Sequence, residues 1–429
     1  MSAEPSQTPS TPVTGPLTAA DIDAAADRIA GVVTPTPLQL CDRLSAITGA
    51  RVYLKREDLQ SVRSYKLRGA YNLLVQLSPE EVAAGVVCSS AGNHAQGFAF
   101  ACRALGIHGR VYVPAKTPKQ KRDRIRYHGG DFIELIVGGT TYDLAAQAAL
   151  DDVARSGATL VPPFDDVRTI AGQGTIAVEL LDQLGAEPDL VVVPVGGGGC
   201  IAGITTYLAE RTTNTSVLGV EPAGAAAMMA ALAAGEPVTL DYVDQFVDGA
   251  AVNRAGTLTY AALAAAGDMV SITAVDEGAV CTAMLDLYQH EGIIAEPAGA
   301  LSVAGLLETD VEPDSTVVCL ISGGNNDVSR YGEVLERSLV HLGLKHYFLV
   351  DFPQEPGALR RFLDDVLGPN DDITLFEYVK RNNRETGEAL VGIELGSAAD
   401  LDGLLERMRA TEIHVEALEP GSPAYRYLL

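Results

Sequence analysis

Four motifs in this chain could do chemistry together. Lys66 lies in Ser64-Tyr65-Lys66-Leu67-Arg68-Gly69-Ala70, and Asn93 in Ser90-Ala91-Gly92-Asn93-His94-Ala95-Gln96-Gly97. Four consecutive glycines, Gly196, Gly197, Gly198 and Gly199, precede Cys200, and Ser322 opens Ser322-Gly323-Gly324-Asn325. In order they supply an amine, a polar loop with an amide, unobstructed backbone N–H groups and a hydroxyl.

Each motif has an ordinary reading beside the chemical one. A lysine that attacks a carbonyl must be deprotonated part of the time, which burial and nearby positive charge achieve. Arg63 and Arg68 flank Lys66, and apolar Tyr71, Leu73, Leu74 and Leu77 follow. Alone, the pattern describes a solvated lysine at a helix start at least as well. The glycines stand between the β-branched run Leu190 to Val193 and a helical stretch from Cys200 to Glu210. Without β-carbons they admit close backbone approach, and amides at a helix N-terminus bind anions, so this context favours a phosphate over a merely flexible loop. A dinucleotide site would need GxGxxG spacing and a ribose-binding acid, neither of which is evident. Asn93 can donate to a phenolic oxygen, while Ser90, Ala91, Gly92 and His94 could offer backbone N–H groups to a substrate carboxylate; asparagine is equally suited to capping a helix. Ser322 can donate to a neutral pyridine nitrogen, although alone it reads as a turn serine. The ordered set matches what pyridoxal phosphate requires: a lysine for its aldehyde, amides for its phosphate and a partner for its ring nitrogen.

The elements that must position these groups are legible as alternation. Short strand-like runs, Arg51 to Leu54, Gly85 to Cys88, Gly109 to Val113, Leu190 to Val193 and Thr316 to Leu320, are separated by helical patterns, which implies parallel sheets covered by helices. Ser78-Pro79-Glu80-Glu81 predicts a capped helix start. Asn93 is expected near the start of the helix that follows the next strand. After Leu344 the order becomes strand (Lys345 to Asp351), helix (Leu359, Phe362, Leu363, Val366, Leu367), strands at 373–380 and 389–395, a helix from Ala398 and a strand at 413–417. This βαββαβ order predicts a small ferredoxin-like α+β domain.

At 429 residues the chain exceeds one typical domain, and 47% hydrophobic with 20% charged residues is a folding composition. A net charge of −25 excludes the basic footprint that nucleic-acid binding requires and disfavours anionic membranes. The six cysteines, Cys41, Cys88, Cys102, Cys200, Cys281 and Cys319, form no CxxC pair and read as buried thiols. No apolar run is long enough to span a bilayer, the N-terminus lacks a signal pattern, and a cytoplasmic location is expected.

The motif order resembles fold type II of the pyridoxal-phosphate enzymes, the tryptophan synthase β-like group, and within it the biosynthetic threonine dehydratases, from Leu17 to about Leu418. The resemblance implies two parallel α/β subdomains in a catalytic domain at 17–335, a tail at 1–16, a linker at 336–344, one ACT-like regulatory domain at 345–420 and a tail at 421–429. It makes Lys66 the Schiff-base lysine and α-proton base, gives Asn93 the cofactor phenolic oxygen, and gives Gly196, Gly197, Gly198, Gly199 and the Cys200 amide the phosphate. Ser322 then faces the ring nitrogen, and the substrate loop is Ser90, Ala91, Gly92 and His94. The implied reaction is β-elimination from L-threonine to 2-oxobutanoate and ammonia, the first step of isoleucine biosynthesis, with isoleucine and valine as effectors and a homotetramer by family analogy.

Three departures from the family pattern bear on this. Tyr65 stands where phenylalanine is common. Ala91 replaces the serine that racemases use on the second face, which favours elimination. The stretch Glu221 to Ala227 lacks the second carboxylate of the metal-dependent relatives, so no divalent metal is expected. The alternatives are a catabolic serine/threonine dehydratase, usually without the C-terminal domain, and a non-catalytic amino-acid sensor.

Overall fold

A parallel strand buried on both faces needs an apolar run rather than alternation, and Thr316–Ile321 meets that demand with all six residues buried. In the computed structural model, which describes residues 16–378, 385–419, 422 and 425, it is the tenth of ten strands in a unit spanning Met1–Asn326. In chain order these are β1 (Leu38–Leu40), β2 (Arg51–Arg56), β3 (Val86–Ser89), β4 (Gly109–Val113), β5 (Ile133–Val137), β6 (Thr159–Leu160), β7 (Leu190–Pro194), β8 (Ser216–Pro222), β9 (Val270–Val275) and β10 (Thr316–Ile321). Two sheets result, one ordered β1-β2-β10-β7-β8-β9 and the other β5-β4-β3-β6. All pairings are parallel except that of edge strand β1 with β2.

This topology decides where the motifs go. Because β7 and β10 are parallel neighbours, the glycine loop after β7 and the Ser322 loop after β10 leave the sheet side by side. The loop with Asn93 leaves the same end of β3 in the other sheet. Ligands of open α/β sheets bind in the crevice beyond such carboxyl ends. The predicted cap is present: Ser78 Oγ accepts from Glu81 N–H while the Glu81 carboxylate accepts from Ser78 N–H.

The helix Val167–Leu184 ties the lysine and the glycine loop to one frame. A Cβ on Gly172 would lie 2.6 Å from the Arg68 carbonyl, and one on Gly174 would lie 2.9 Å from the Gly203 carbonyl. Its backbone therefore touches both the helix Lys66–Leu74 and the helix Gly199–Arg211, and either glycine replaced would push a site element outward. Apolar cores lie against each sheet, one around Ile22, Val193, Ile201 and Ile204, the other around Leu67, Phe98 and Val111.

The second unit, Asp327–Leu429, has the predicted βαββαβ order. Its strands are β11 (Lys345–Pro353), β12 (Asp372–Tyr378), β13 (Thr386–Glu394) and β14 (His414–Ala417), paired antiparallel in the order β12-β13-β11-β14. The helices Ala358–Val366 and Leu401–Ala410 supply Phe362 and Leu404 to a core with Phe348, Val350, Phe352 and Val391. The sequence reading differs at the boundary. The stretch expected as a linker, 336–344, begins inside the helix Tyr331–His341, where Val334 and Ser338 are buried. Glu336 on that helix accepts from Lys345 Nζ at 2.5 Å and from the Tyr347 hydroxyl, so this stretch belongs with the second unit. The expected tail residues 1–15, the end of the strand predicted at 373–380 and most of 421–429 lie outside the described residues. No helix among the described residues is long and apolar enough to cross a membrane.

Candidate active site

Lys66 is the first residue of its helix, and the segment before it is stitched to the serine loop. Ser64 bridges Gly323, Tyr65 N–H donates to the Ser322 carbonyl at 3.2 Å, and Gly324 N–H donates to the Arg63 carbonyl at 2.9 Å. The Lys66 amine donates to the Pro163 carbonyl at 3.1 Å and lies 5.1 Å from the centroid of the Tyr65 ring. Burial lowers its pKa to about 8, partly opposed by Cys200 and Glu296. Burial, not the flanking arginines of the sequence reading, is the chief cause, for Arg68 is engaged by Glu57 and Glu179.

The glycine run is held too tightly for side chains. A Cβ on Gly196 would lie 2.8 Å from the Ala250 carbonyl, one on Gly199 2.9 Å from Phe164 Cβ, and one on Gly197 would collide with the Phe164 ring. Gly198 has φ +89 and caps the helix Gly199–Arg211, whose second residue is the buried Cys200. Thr259 Oγ1 donates to the Gly197 carbonyl at 2.7 Å, which fixes the loop through its carbonyl side. Gly197→Ala is expected to displace Phe164 and weaken cofactor binding by about 10-fold or more, with a stability loss of about 1–3 kcal/mol from overpacking. Spectroscopic titration and a denaturant melt measure the two; unchanged cofactor affinity would argue against the loop as the phosphate site.

Asn93 is the first residue of the helix Asn93–Leu105, and Gly92 stands at the cap position without a side-chain bond. The asparagine is thus free of the capping duty the sequence allowed it. Its Nδ2 donates to Glu296 Oε1 at 2.5 Å and its Oδ1 accepts from Asn325 Nδ2 at 2.7 Å. Ser90 Oγ accepts from Gly92 N–H at 3.3 Å, shaping the loop, and open space surrounds the Gly92 α-carbon. His94 is buried with Nε2 2.8 Å from the Val161 carbonyl, and burial beside Lys66 lowers its pKa to about 4, so the imidazole is neutral. Ser322 is buried and its Oγ donates to the Ala298 carbonyl at 3.2 Å.

Lys66, Asn93, Gly196 and Ser322 share one cavity, with Tyr65 and Glu296 also in its wall. Gly197, Gly198, Gly199, Cys200, Ser90, Ala91, Gly92 and His94 do not line it; they lie beside its residues in the chain. The donor set fits pyridoxal phosphate: a half-buried amine of lowered pKa, a cradle that β-carbons would fill, and a buried neutral hydroxyl at the end of β10. Sequence reasoning missed Glu296, Phe164 and Asn325. Glu296-Pro297 reads only as a helix start, and Phe164 lies in a loop of no marked pattern. Asn325 was inside a quoted motif but had no assigned part. Glu221 accepts from Met228 and Met229 N–H at 2.8 Å each, which turns its oxygens to a helix start, and the described residues hold no cluster of three or more metal-ligating side chains. All six cysteines are buried.

Comparison with known proteins agrees with the geometry. Residues 29–323 match the family described as pyridoxal-phosphate dependent enzyme, and residues 336–428 match the C-terminal regulatory domain of threonine dehydratase. The biosynthetic L-threonine dehydratase IlvA of Mycobacterium tuberculosis is 90% identical over 429 residues, 100% of both chains. Its counterpart in Corynebacterium glutamicum is 61% identical over 415 residues, 96% of this chain and 95% of that one. Among solved structures, the processed form of threonine deaminase isoform 2 from Solanum lycopersicum is 37% identical with a TM-score of 0.71, covering 78% of this chain and 99% of that one.

Proposed function

Because the chain belongs to the pyridoxal-phosphate dependent enzymes, and among them to the threonine dehydratases with a C-terminal regulatory domain, we propose that it converts L-threonine to 2-oxobutanoate and ammonia. The observation that carries this reading is the half-buried Lys66 amine, of pKa about 8, in one cavity with Asn93, Gly196 and Ser322. Bound there, pyridoxal phosphate supplies the electron sink that acidifies the substrate Cα–H and drives loss of the β-hydroxyl.

The chain's own residues do the rest. Lys66 would hold the cofactor through Nζ and, once freed, would accept the substrate α-proton at the same atom. Its lowered pKa keeps a useful fraction of free amine near neutrality. The N–H groups of Gly196, Gly197, Gly198, Gly199 and Cys200 hold the phosphate, and Asn93 donates to the phenolic oxygen. Ser322 would offer the ring nitrogen a neutral hydroxyl, which supports a protonated ring far less than a carboxylate would. The loop of Ser90, Ala91, Gly92 and His94 takes the substrate carboxylate on its amides. Ala91 carries no hydroxyl, so no second acid faces the α-carbon from that residue.

The second unit supports feedback control, with isoleucine and valine as the effectors, the catalytic part ending at Asn326 and the ACT-like regulatory part following from Asp327. A homotetramer and a cytoplasmic location belong to the same reading, the latter favoured by the unpaired buried thiols of Cys41, Cys88, Cys102, Cys200 and Cys319. The regulatory match speaks against a catabolic dehydratase, and the complete cavity against a non-catalytic sensor. The purified protein is expected to show a visible cofactor band, to turn over threonine and to lose that turnover as isoleucine is titrated. Absence of the band would defeat the enzyme reading; a flat response to isoleucine and valine would defeat feedback alone.

A further inference from the structure

Glu296 is a buried carboxyl in the cavity wall, 6% exposed, to which the roles above give no part. We propose that Glu296 and Asn325 are positioning residues that lock the Asn93 amide with its N–H side toward the cavity. The inference rests on the assignment of Asn93 to the cofactor.

An asparagine amide can turn either edge toward a ligand unless its neighbours distinguish oxygen from nitrogen. Here they do. Glu296 Oε1 accepts from Asn93 Nδ2 at 2.5 Å, and Asn325 Nδ2 donates to Asn93 Oδ1 at 2.7 Å. Asn325 cannot turn to suit a flipped partner, because its Nδ2 also donates to the Val62 carbonyl at 2.8 Å. A flip of Asn93 would set a carbonyl against a carboxylate and an NH₂ against an NH₂, replacing two bonds by two repulsions. With its oxygen and one N–H committed, the amide has a single polar hydrogen left for the cavity.

The placement of Glu296 is itself built in. It caps the helix Pro297–Leu307, and its N–H donates to the Gly323 carbonyl at 3.1 Å. A Cβ on Gly323 would collide with Glu296 Oε1. The serine motif thus has a division of labour: Ser322 lines the cavity, Gly323 admits the carboxylate and Asn325 orients the amide.

Ionisation bears on how firmly the lock holds. Burial and Asp248 raise the Glu296 pKa to about 7, against Asn93, Lys121 and the Asn325 backbone, which lower it. Lys121 pairs with Asp248, and Tyr65 and Lys66 face the same carboxyl. An ionised carboxylate accepts the Asn93 N–H more strongly than a protonated one. The hold on the cofactor therefore weakens as pH falls through about 7.

The test is spectroscopic titration of pyridoxal phosphate into E296A, E296Q, N325A, N93A and the N93A/E296A pair, from mildly acidic to mildly basic pH, with a thermal melt of each. E296A and N325A are expected to weaken binding by about 10-fold, the loss of one charge-assisted or one neutral bond's worth of orientation. E296Q keeps an acceptor and should bind nearly as the wild type does, with only the part of the acid-side weakening that protonation of Lys66 itself causes. N93A and E296A should not add in the pair, since both act through one amide. Additive effects, or an E296A protein of lowered melting temperature with wild-type affinity and pH profile, would overturn the proposal while leaving Asn93 in place. Normal binding by N93A would overturn the Asn93 assignment and this inference with it.

Discussion

Lys66→Ala is expected to lower turnover on threonine by about 10⁴-fold or more while leaving a folded protein, because covalent attachment and proton abstraction both pass through one amine. Among the described residues lining the cavity, Lys66 is the only amine, so no neighbour can take over its proton. The stability of the cofactor-free protein should move the other way. The folded pKa is about 8 against the ordinary lysine value of 10.5, so between these the unfolded chain holds a proton that the folded chain does not. Stability attributable to this group therefore rises with pH across that window, and the full burial cost is present below it. Lys66→Met removes the cost, and the cofactor-free variant should be more stable than the parent at neutral pH by up to ~3 kcal/mol, less whatever the open cavity screens. The gap should close towards pH ~10.5, the ordinary lysine range. Urea melts at both pH values, beside 2-oxobutanoate assays, measure both effects; substantial turnover by Lys66→Ala would refute the assignment.

How much of this was legible follows from how local each feature is. The strand Gly109–Val113 coincides with its prediction because a β-branched run bounded by a helix on each side leaves little choice. The βαββαβ order was readable for the same reason, each element carrying its own period. The four motifs were readable as a set because their residue types are chemically unusual together. What escaped was pairwise and distant. Glu296 meets Asn93 from 203 residues away, and Phe164 meets the glycine run only after two sheets have formed. Arg68 looked like a cation beside Lys66 in sequence, yet two residues along a helix point to different faces, and it is committed elsewhere. The helix Tyr331–His341 was read partly as a linker because its burial is confined to a narrow stripe, Val334 and Ser338.

Arg68→Met is expected to destabilise the protein by about 3–5 kcal/mol, the cost of stranding a buried charge rather than the worth of a salt bridge. Arg68 has no solvent exposure and donates through Nε and Nη2 to both oxygens of the equally buried Glu57, at 2.9 and 2.7 Å. It also donates to Glu179 at 2.6 and 2.9 Å and to Thr175 Oγ1 at 3.1 Å. Glu179 keeps a second cation when Arg68 is lost, since Lys55 Nζ donates to it at 2.7 Å. Glu57 keeps the Thr36 hydroxyl, at 2.6 Å, and the more distant charge of Lys55, but loses the cation that bonded both its oxygens. Burial drives the Glu179 pKa up, but Arg68 and Lys55 outweigh it and hold the carboxyl below its ordinary value. The stability Glu179 contributes is therefore present above the ordinary carboxylate range and lost as pH falls through its folded pKa. Pairing Arg68→Met with Glu57→Gln should restore part of the loss, because the second change removes the stranded charge. Since Arg68 stands two residues beyond Lys66 on the same helix, the single variant should also lose turnover, and the paired variant should regain some of it. Denaturant midpoints of the single and paired variants give the comparison; a loss below about 1 kcal/mol for Arg68→Met, the range of an exposed ion pair, would show that Glu57 is solvated after all.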